Sequence, residues 1–222
     1  MRKEELFKRV IAYFEDAIPV AETELHYKNP YELIVAVILS AQCTDKRVNM
    51  ITPEFFRKYP TLQELSKNKP EDVFAYIKSC SYPNNKARHL IGMARTVIRE
   101  FNGVIPDNPQ DLQKLPGVGR KTANVVLSVA FNQPAMAVDT HVFRVTARIG
   151  LTVHAKTPLE TELQLVKYIP EALVHKAHHW FILHGRYVCL ARNPRCSDCG
   201  LAELCKYNNS KVSRLKTSSV KK

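Results

Sequence analysis

The chain has 222 residues, a formal net charge of +12 and a sequence pI near 9.5, which is enough length for one large domain or two small ones around a real core. So positive a balance points to a polyanionic partner, most commonly nucleic acid, and no apolar run reaches membrane-spanning length, Leu33 to Leu39 being too short. The opening Met1-Arg2-Lys3-Glu4-Glu5 leads straight into a polar-faced helix, so a cytoplasmic protein without a signal peptide is expected, and its six cysteines favour metal or cluster binding over disulfides.

From the N-terminus, apolar residues at 7, 10, 11, 14 and 18 predict a helix over Glu4–Ile18. Pro30-Tyr31-Glu32 starts a second helix, Leu33 to Ala41, apolar almost all round and therefore buried on most sides. It ends in Ser40-Ala41-Gln42-Cys43-Thr44-Asp45, with Asp45 expected to cap a helix over Lys46–Tyr59. Asp72–Lys78 is a short helix. Pro83 and two asparagines then make a turn, and Asn84 or Asn85 is expected to cap a long helix to about Phe101, closed by Asn102-Gly103.

The stretch Leu115-Pro116-Gly117-Val118-Gly119-Arg120-Lys121-Thr122-Ala123 holds two of the seven glycines, two residues apart. Pro116 favours a turn, while Gly117 and Gly119 allow positive φ and close approach of another backbone. Asn108 and Pro109 open a short helix before it. After it, Lys121–Phe131 carries apolar residues at 123, 125, 126, 129 and 130, which is helical spacing. The pattern is helix, hairpin, helix, with backbone amides that bind phosphate without reading sequence. An ordinary glycine-closed turn between packed helices fits the same spacing, so the rest of the chain decides.

Val138 to Val145 reads as a cap followed by a helix, and Pro158–Ile169 and Pro170–Gly185 as two more. Sustained period-two alternation is missing, so the expected class is all-α, with roughly ten helices. Cys189, Cys196, Cys199 and Cys205 follow as C-x6-C-x2-C-x5-C. Four thiolates in so short a loop suit a tetrahedral zinc or an iron–sulfur cluster, and spacing alone leaves both open. Such a centre would stiffen the loop and present Arg192 and Arg195 to phosphates. Cys43 and Cys80 stand apart and read as small buried apolar residues. Residues 206–222 hold six Lys/Arg and no acid, a basic tail expected to be disordered.

Taken together, Leu39-Ser40-Ala41-Gln42, the run from Leu115 to Val126, Val138-Asp139-Thr140-His141, His178-His179-Trp180 with His184-Gly185-Arg186, and the four-cysteine loop resemble the endonuclease III family of helix–hairpin–helix DNA glycosylases. The similarity runs over nearly the whole chain apart from the tail. It implies two all-α lobes: a six-helix module over 24–135 with the hairpin, and a second lobe from 1–23 and 136–207 with a 4Fe–4S cluster on the four cysteines. The tail is then 208–222. The DNA and the active site are expected in a cleft between the lobes. The implied reaction is base-excision repair: removal of oxidised or ring-damaged pyrimidines from duplex DNA, then β-elimination at the abasic site. The implied partner is double-stranded DNA with damaged bases or abasic sites, bound by a monomer at the nucleoid, with no membrane involved.

The resemblance also implies roles. A base inside a duplex is out of reach until its nucleotide is flipped. Gln42 would bond the orphaned base, although a polar residue at a helix end needs no such role. Tyr82 stands where many relatives carry a wedging leucine, in Ser81-Tyr82-Pro83 rather than a Gly-Leu-Tyr type sequence. Leu115, Gly117, Val118, Gly119 and Arg120 would hold the backbone. Asn193 occupies a position often basic in relatives, which leaves phosphate contact there to Arg192 and Arg195. Lys121 would attack C1′, the positive field of a helix N-terminus favouring an uncharged amine. Asp139 would stabilise the developing sugar cation, besides being a good N-cap, with His141 supporting its loop. A mismatch adenine glycosylase generally lacks a lysine at this position and carries an extra C-terminal domain. A non-catalytic helix–hairpin–helix protein with a structural zinc explains the charge and the cysteines, but leaves Lys121 and Asp139 as coincidence.

Overall fold

Every regular element among the described residues, 1–210 of the computed structural model, is helical. In chain order these are α1 (Lys3–Ala17), α2 (Pro30–Ser40), α3 (Asp45–Lys58), α4 (Leu62–Ser66), α5 (Pro70–Ile77), α6 (Pro83–Glu100), α7 (Pro109–Leu112), α8 (Arg120–Phe131), α9 (Thr140–Ile149), α10 (Pro158–Val166) and α11 (Val174–Tyr187). Short 3₁₀ turns lie at Glu171–Leu173 and Cys196–Asp198, and 206–210 is again helical. The all-α expectation holds.

The helix starts follow the side chains that cap them, not always those expected. At α3 the cap is Thr44, whose hydroxyl accepts from the Arg47 amide at 3.3 Å, and Asp45 is the first helical residue. At α6 neither Asn84 nor Asn85 caps: Pro83 takes the first helical position, where its missing N–H does no harm. That pushes the cap back onto Tyr82, held in the left-handed region at φ 54°. The sequence reading passed over α4, although Thr61 caps it by accepting from the Glu64 amide at 3.2 Å. The expected Pro170 helix divides into a 3₁₀ turn and α11. Residues 208–210, expected within the tail, belong to the last helical turn, where Asn208 donates from Nδ2 to the Ala202 carbonyl at 3.1 Å. The other tail positions, 211–222, lie outside the described residues.

The chain divides into two units, Thr23–Ala135 and the pair of segments Met1–Glu22 and Met136–Lys222. In the first, α2 is the central element, packed by α3, α6 and α8, with Tyr31 and the run Leu33–Leu39 buried. Its apolar character all round follows from having neighbours on every side. In the second unit, Phe7, Val10 and Phe14 of α1 join Val142, Val145 and Ile149 of α9 and Trp180 and Phe181 of α11 in one core. Trp180 closes it by donating from Nε1 to the Ile18 carbonyl at 2.9 Å. The buried face of α8 differs from the expected one: Ala123, Asn124, Val126, Leu127 and Ser128 point inward, while Val125, Val129 and Ala130 are half-buried.

Candidate functional site

The hairpin in the first unit is built almost entirely from backbone. Asn108 caps α7 through Oδ1, which accepts from the Asp111 amide at 2.9 Å. The Val118 amide closes the turn on the Leu115 carbonyl at 3.0 Å. Gly117 sits at φ 82°, and a Cβ there would come within 2.8 Å of the His89 Cβ. Beside it, Pro116 packs so tightly on Gly92 of α6 that a Cβ at Gly92 would lie 3.1 Å from the proline ring. The hairpin is thus seated on α6 by two absent side chains. Gly119 faces open space and caps α8 with no side chain, so the mouth of the turn is lined by peptide groups. Leu115 and Val118, expected among the DNA-contacting residues, bury their side chains in the core and offer backbone only.

Arg120 and Lys121 start α8 with exposed side chains. Among the described residues the Lys121 ammonium has neither a hydrogen-bond nor an ion-pair partner.

Gln42 and Tyr82 are both exposed, and both occupy the left-handed region at φ 54°. The structure brings their turns together: the Ser81 hydroxyl donates to the Gln42 carbonyl at 2.7 Å. Under them lies Lys86, buried at 4 % exposure. Its Nζ donates to the carbonyls of Leu39 at 2.7 Å and Ala41 at 2.8 Å, the unpaired acceptors at the end of α2. Burial pulls its pKa below the ordinary lysine value. The sequence carries a signal for this residue only in hindsight, as a lysine on the apolar face of α6.

In the second unit Asp139 caps α9, its Oδ1 accepting from the Val142 amide at 2.8 Å, and Oδ2 has no partner among the described residues. The cap fixes the carboxylate as the Asp139-Thr140-His141 pattern suggests. His141 lies beside Arg144, its Nδ1 at 3.2 Å from Nη2. At Gly185 an added Cβ would come within 2.9 Å of the His141 Cβ, so α9 and α11 approach closely only because Gly185 is a glycine.

All four loop cysteines line one hollow, with His184, Ile149, Leu201 and Arg195 around it. Among the described residues no three His, Cys, Asp or Glu side chains gather closely enough to hold a single metal ion. The donor set is four half-buried thiols, the soft ligands iron–sulfur clusters take, so the residues fit. Burial holds the Cys199 and Cys205 thiols above the usual range, a proton that ligation as thiolate displaces.

The loop itself is nearly without regular structure and is tied down from α9. Arg148 donates to the Leu190 carbonyl at 2.7 Å, the Ala191 carbonyl at 3.0 Å and the Cys189 sulfur at 3.5 Å. Arg144 donates to the carbonyls of Cys189 at 3.2 Å and Gly185 at 2.9 Å. Sequence reasoning missed both arginines, since their i, i+4 spacing places them on one helix face but does not mark them as tethers of a distant loop. Arg192 and Arg195 are exposed around Asn193, which takes a left-handed φ of 49°.

Comparison with known proteins places these features. Residues 35–171 match the HhH-GPD superfamily of base excision DNA repair proteins, and residues 189–205 match the iron–sulfur binding domain of endonuclease III. Endonuclease III of Rickettsia felis is 44% identical over 94% of this chain and 97% of its own length. A trapped covalent intermediate of endonuclease III with DNA superposes with a TM-score of 0.90 at 41% identity, over 96% of this chain and 100% of that one. A non-covalent endonuclease III–DNA complex gives the same TM-score at 40% identity and the same coverage.

Proposed function

Because the chain belongs to the endonuclease III family within the HhH-GPD superfamily of base excision DNA repair proteins, we propose that it excises oxidised or ring-damaged pyrimidines from duplex DNA through Lys121 and Asp139. It is a DNA glycosylase and abasic-site lyase with a 4Fe–4S cluster, which disfavours the readings as a zinc-bearing binding module or a mismatch adenine glycosylase. The observation that carries the assignment of the nucleophile is local. Lys121 is the second residue of α8, exposed, directly after a hairpin whose glycines leave peptide groups uncovered.

The hairpin amides and Arg120 hold the phosphates, so binding energy is spent on position and not on sequence. Gln42 and Tyr82 occupy the gap left by the flipped nucleotide, whose unstacking costs a few kcal/mol; stacking on the Tyr82 ring returns about 1–3 kcal/mol. The Lys121 amine attacks C1′. The bond from C1′ to the base breaks, its electron pair leaves with the base, and the base takes up a proton. The amine gives up one proton, the C1′–O4′ bond breaks with its electron pair and a proton going to O4′, and the opened sugar carries a protonated Schiff base. Loss of a C2′ proton then expels the 3′ phosphate, and water releases the lysine. The Asp139 carboxylate stabilises positive charge on the sugar during the first step. Cys189, Cys196, Cys199 and Cys205 would hold the cluster, which would crosslink the loop that carries Arg192 and Arg195, and these address phosphate.

One chain supplies the hairpin, the lysine and the carboxylate, so a monomer working on the nucleoid in the cytoplasm completes the reaction. Single-turnover assays on a duplex with one oxidised pyrimidine, and on the same duplex with a preformed abasic site, test the reading through Asp139→Asn. Asparagine is as good an N-cap as aspartate, so the fold is retained and only the charge is lost. Base release is expected to slow about 10²–10⁴-fold, and cleavage of the preformed site much less. Equal slowing on both substrates contradicts the role given to Asp139.

A further inference from the structure

The two turns that carry Gln42 and Tyr82 each carry a thiol. Cys43 follows Gln42 and is half-buried; Cys80 precedes Ser81 and is buried at 5 % exposure. Read from the sequence the two are unrelated small residues, 37 positions apart. In the structure the turns that carry them are held together, and the Cys43 thiol lies near enough to act on the Cys80 thiol. The neighbouring residues make the join, the Ser81 hydroxyl donating to the Gln42 carbonyl at 2.7 Å. Lys86, fixed at the end of α2 by the carbonyls of Leu39 and Ala41, lies close enough for its charge to act on both sulfurs. Both cysteines are free thiols here, and neither belongs to the four-cysteine cavity.

We propose that Cys43 and Cys80 are a reversible dithiol–disulfide pair, oxidised by low-molecular-weight disulfides, that sets the spacing of the Gln42 and Tyr82 turns. The more accessible Cys43 makes the first attack as thiolate on the small disulfide. One small thiol leaves, and a mixed disulfide forms on Cys43. Cys80 then attacks the Cys43 sulfur, and the second small thiol leaves. Two protein thiols are oxidised, one small disulfide is reduced, and the two protein thiol protons end on the two released thiols. Burial pushes the Cys80 thiol up to about 11, so Cys80 is the weaker nucleophile and takes only the second step, which is intramolecular. A small dithiol reverses the sequence.

A covalent bond between the two sulfurs draws Cys43 towards Cys80 and moves Gln42, the adjacent residue. The effect on DNA rests on the proposed roles of Gln42 and Tyr82; formation of the disulfide does not. The test uses the intact cluster-containing enzyme, incubated without oxygen with oxidised glutathione, alkylated, digested and mapped by mass spectrometry. The expected result is a linked Cys43–Cys80 peptide, reversed by dithiothreitol, with the four cluster ligands unchanged. The oxidised enzyme is expected to bind a duplex with a stable abasic analogue about tenfold more weakly, and Cys43→Ser to show neither effect. Alkylation of both residues after oxidation, or glutathione adducts without a link, overturns the proposal. A linked peptide with unchanged affinity overturns the coupling to the two turns and leaves the Lys121 chemistry standing.

Discussion

The hairpin between α7 and α8 and the cysteine loop after α11 both project stiff, positively charged surface, and they reach stiffness by opposite routes. The hairpin is made by residues adjacent in sequence. Pro116 and Gly117 set its path, Gly92 and His89 of α6 seat it, and the groups it displays are peptide amides. The cysteine loop has only a single 3₁₀ turn of its own, Cys196–Asp198, and takes its rigidity from crosslinks: its own four thiols, which would hold the cluster, and two distant side chains, Arg144 and Arg148 of α9. A short turn is constrained by its own residues. A longer loop whose carbonyls lack a regular partner needs crosslinks, here a cluster and two guanidinium forks.

The largest effect expected from this difference comes from Cys196→Ser. Removing one ligand empties the loop of its crosslink, so iron falls well below the about four atoms per chain of a complete cluster. Limited proteolysis is then expected within 189–205, while the hydrogen-exchange protection of α2 and α8 is kept. Full iron content in this variant breaks the account of the loop.

Next in size is Gly117→Ala, the corresponding change in the hairpin. Alanine at φ 82°, with its Cβ against His89, is strained by about 1–3 kcal/mol. Urea unfolding is expected to show that loss together with weaker DNA binding, while the cluster absorption is untouched. A neutral result shows that the turn draws its shape from elsewhere.

What the sequence made legible divides along the same line. The hairpin, the Asn108 cap and the Asp139 cap are encoded within four or five neighbouring residues, and the structure shows each of them. The four-cysteine cavity was legible because its ligands are crowded into one loop. Arg144 and Arg148 were not, because the carbonyls they serve lie more than 40 positions away, and nothing local marks an arginine as a loop tether. Asn124 and Ser128 on the inner face of α8 were missed because a hydrophobic pattern cannot point to buried polar residues. Tyr82 as a left-handed cap was hidden behind the better capping residues that follow it. Cys43 and Cys80 meet only through the packing of α2 and α6.

A smaller effect separates the two units by pH. The buried histidines, His178, His179 and His184, all belong to the unit with the cysteine loop. Burial, and next the charges of His178, His175 and Arg186, lowers the His179 pKa to about 3. Its folded value lies below its unfolded one, so on acidification the unfolded state takes up the proton first. The His179 contribution is complete above the unfolded value and declines as pH falls towards the folded one. Between pH about 7.5 and about 5.5 the loss is about 1 kcal/mol. Urea titrations at the two pH values, with His179→Gln as the flattened control, check it. An equal loss in α2 and α8, read by hydrogen exchange, argues against assigning it to this unit.

The central claim is that Lys121 forms the covalent link to the sugar, and borohydride trapping tests it most directly. Added during turnover on a duplex with an oxidised pyrimidine or an abasic site, borohydride reduces the Schiff base to a stable protein–DNA adduct. Wild-type protein is expected to give that adduct. Lys121→Gln keeps α8, since glutamine is a comparable helix former, and is expected to keep damage-specific binding while losing both the adduct and strand cleavage. An adduct from Lys121→Gln at the wild-type level places the nucleophile elsewhere and contradicts the mechanism.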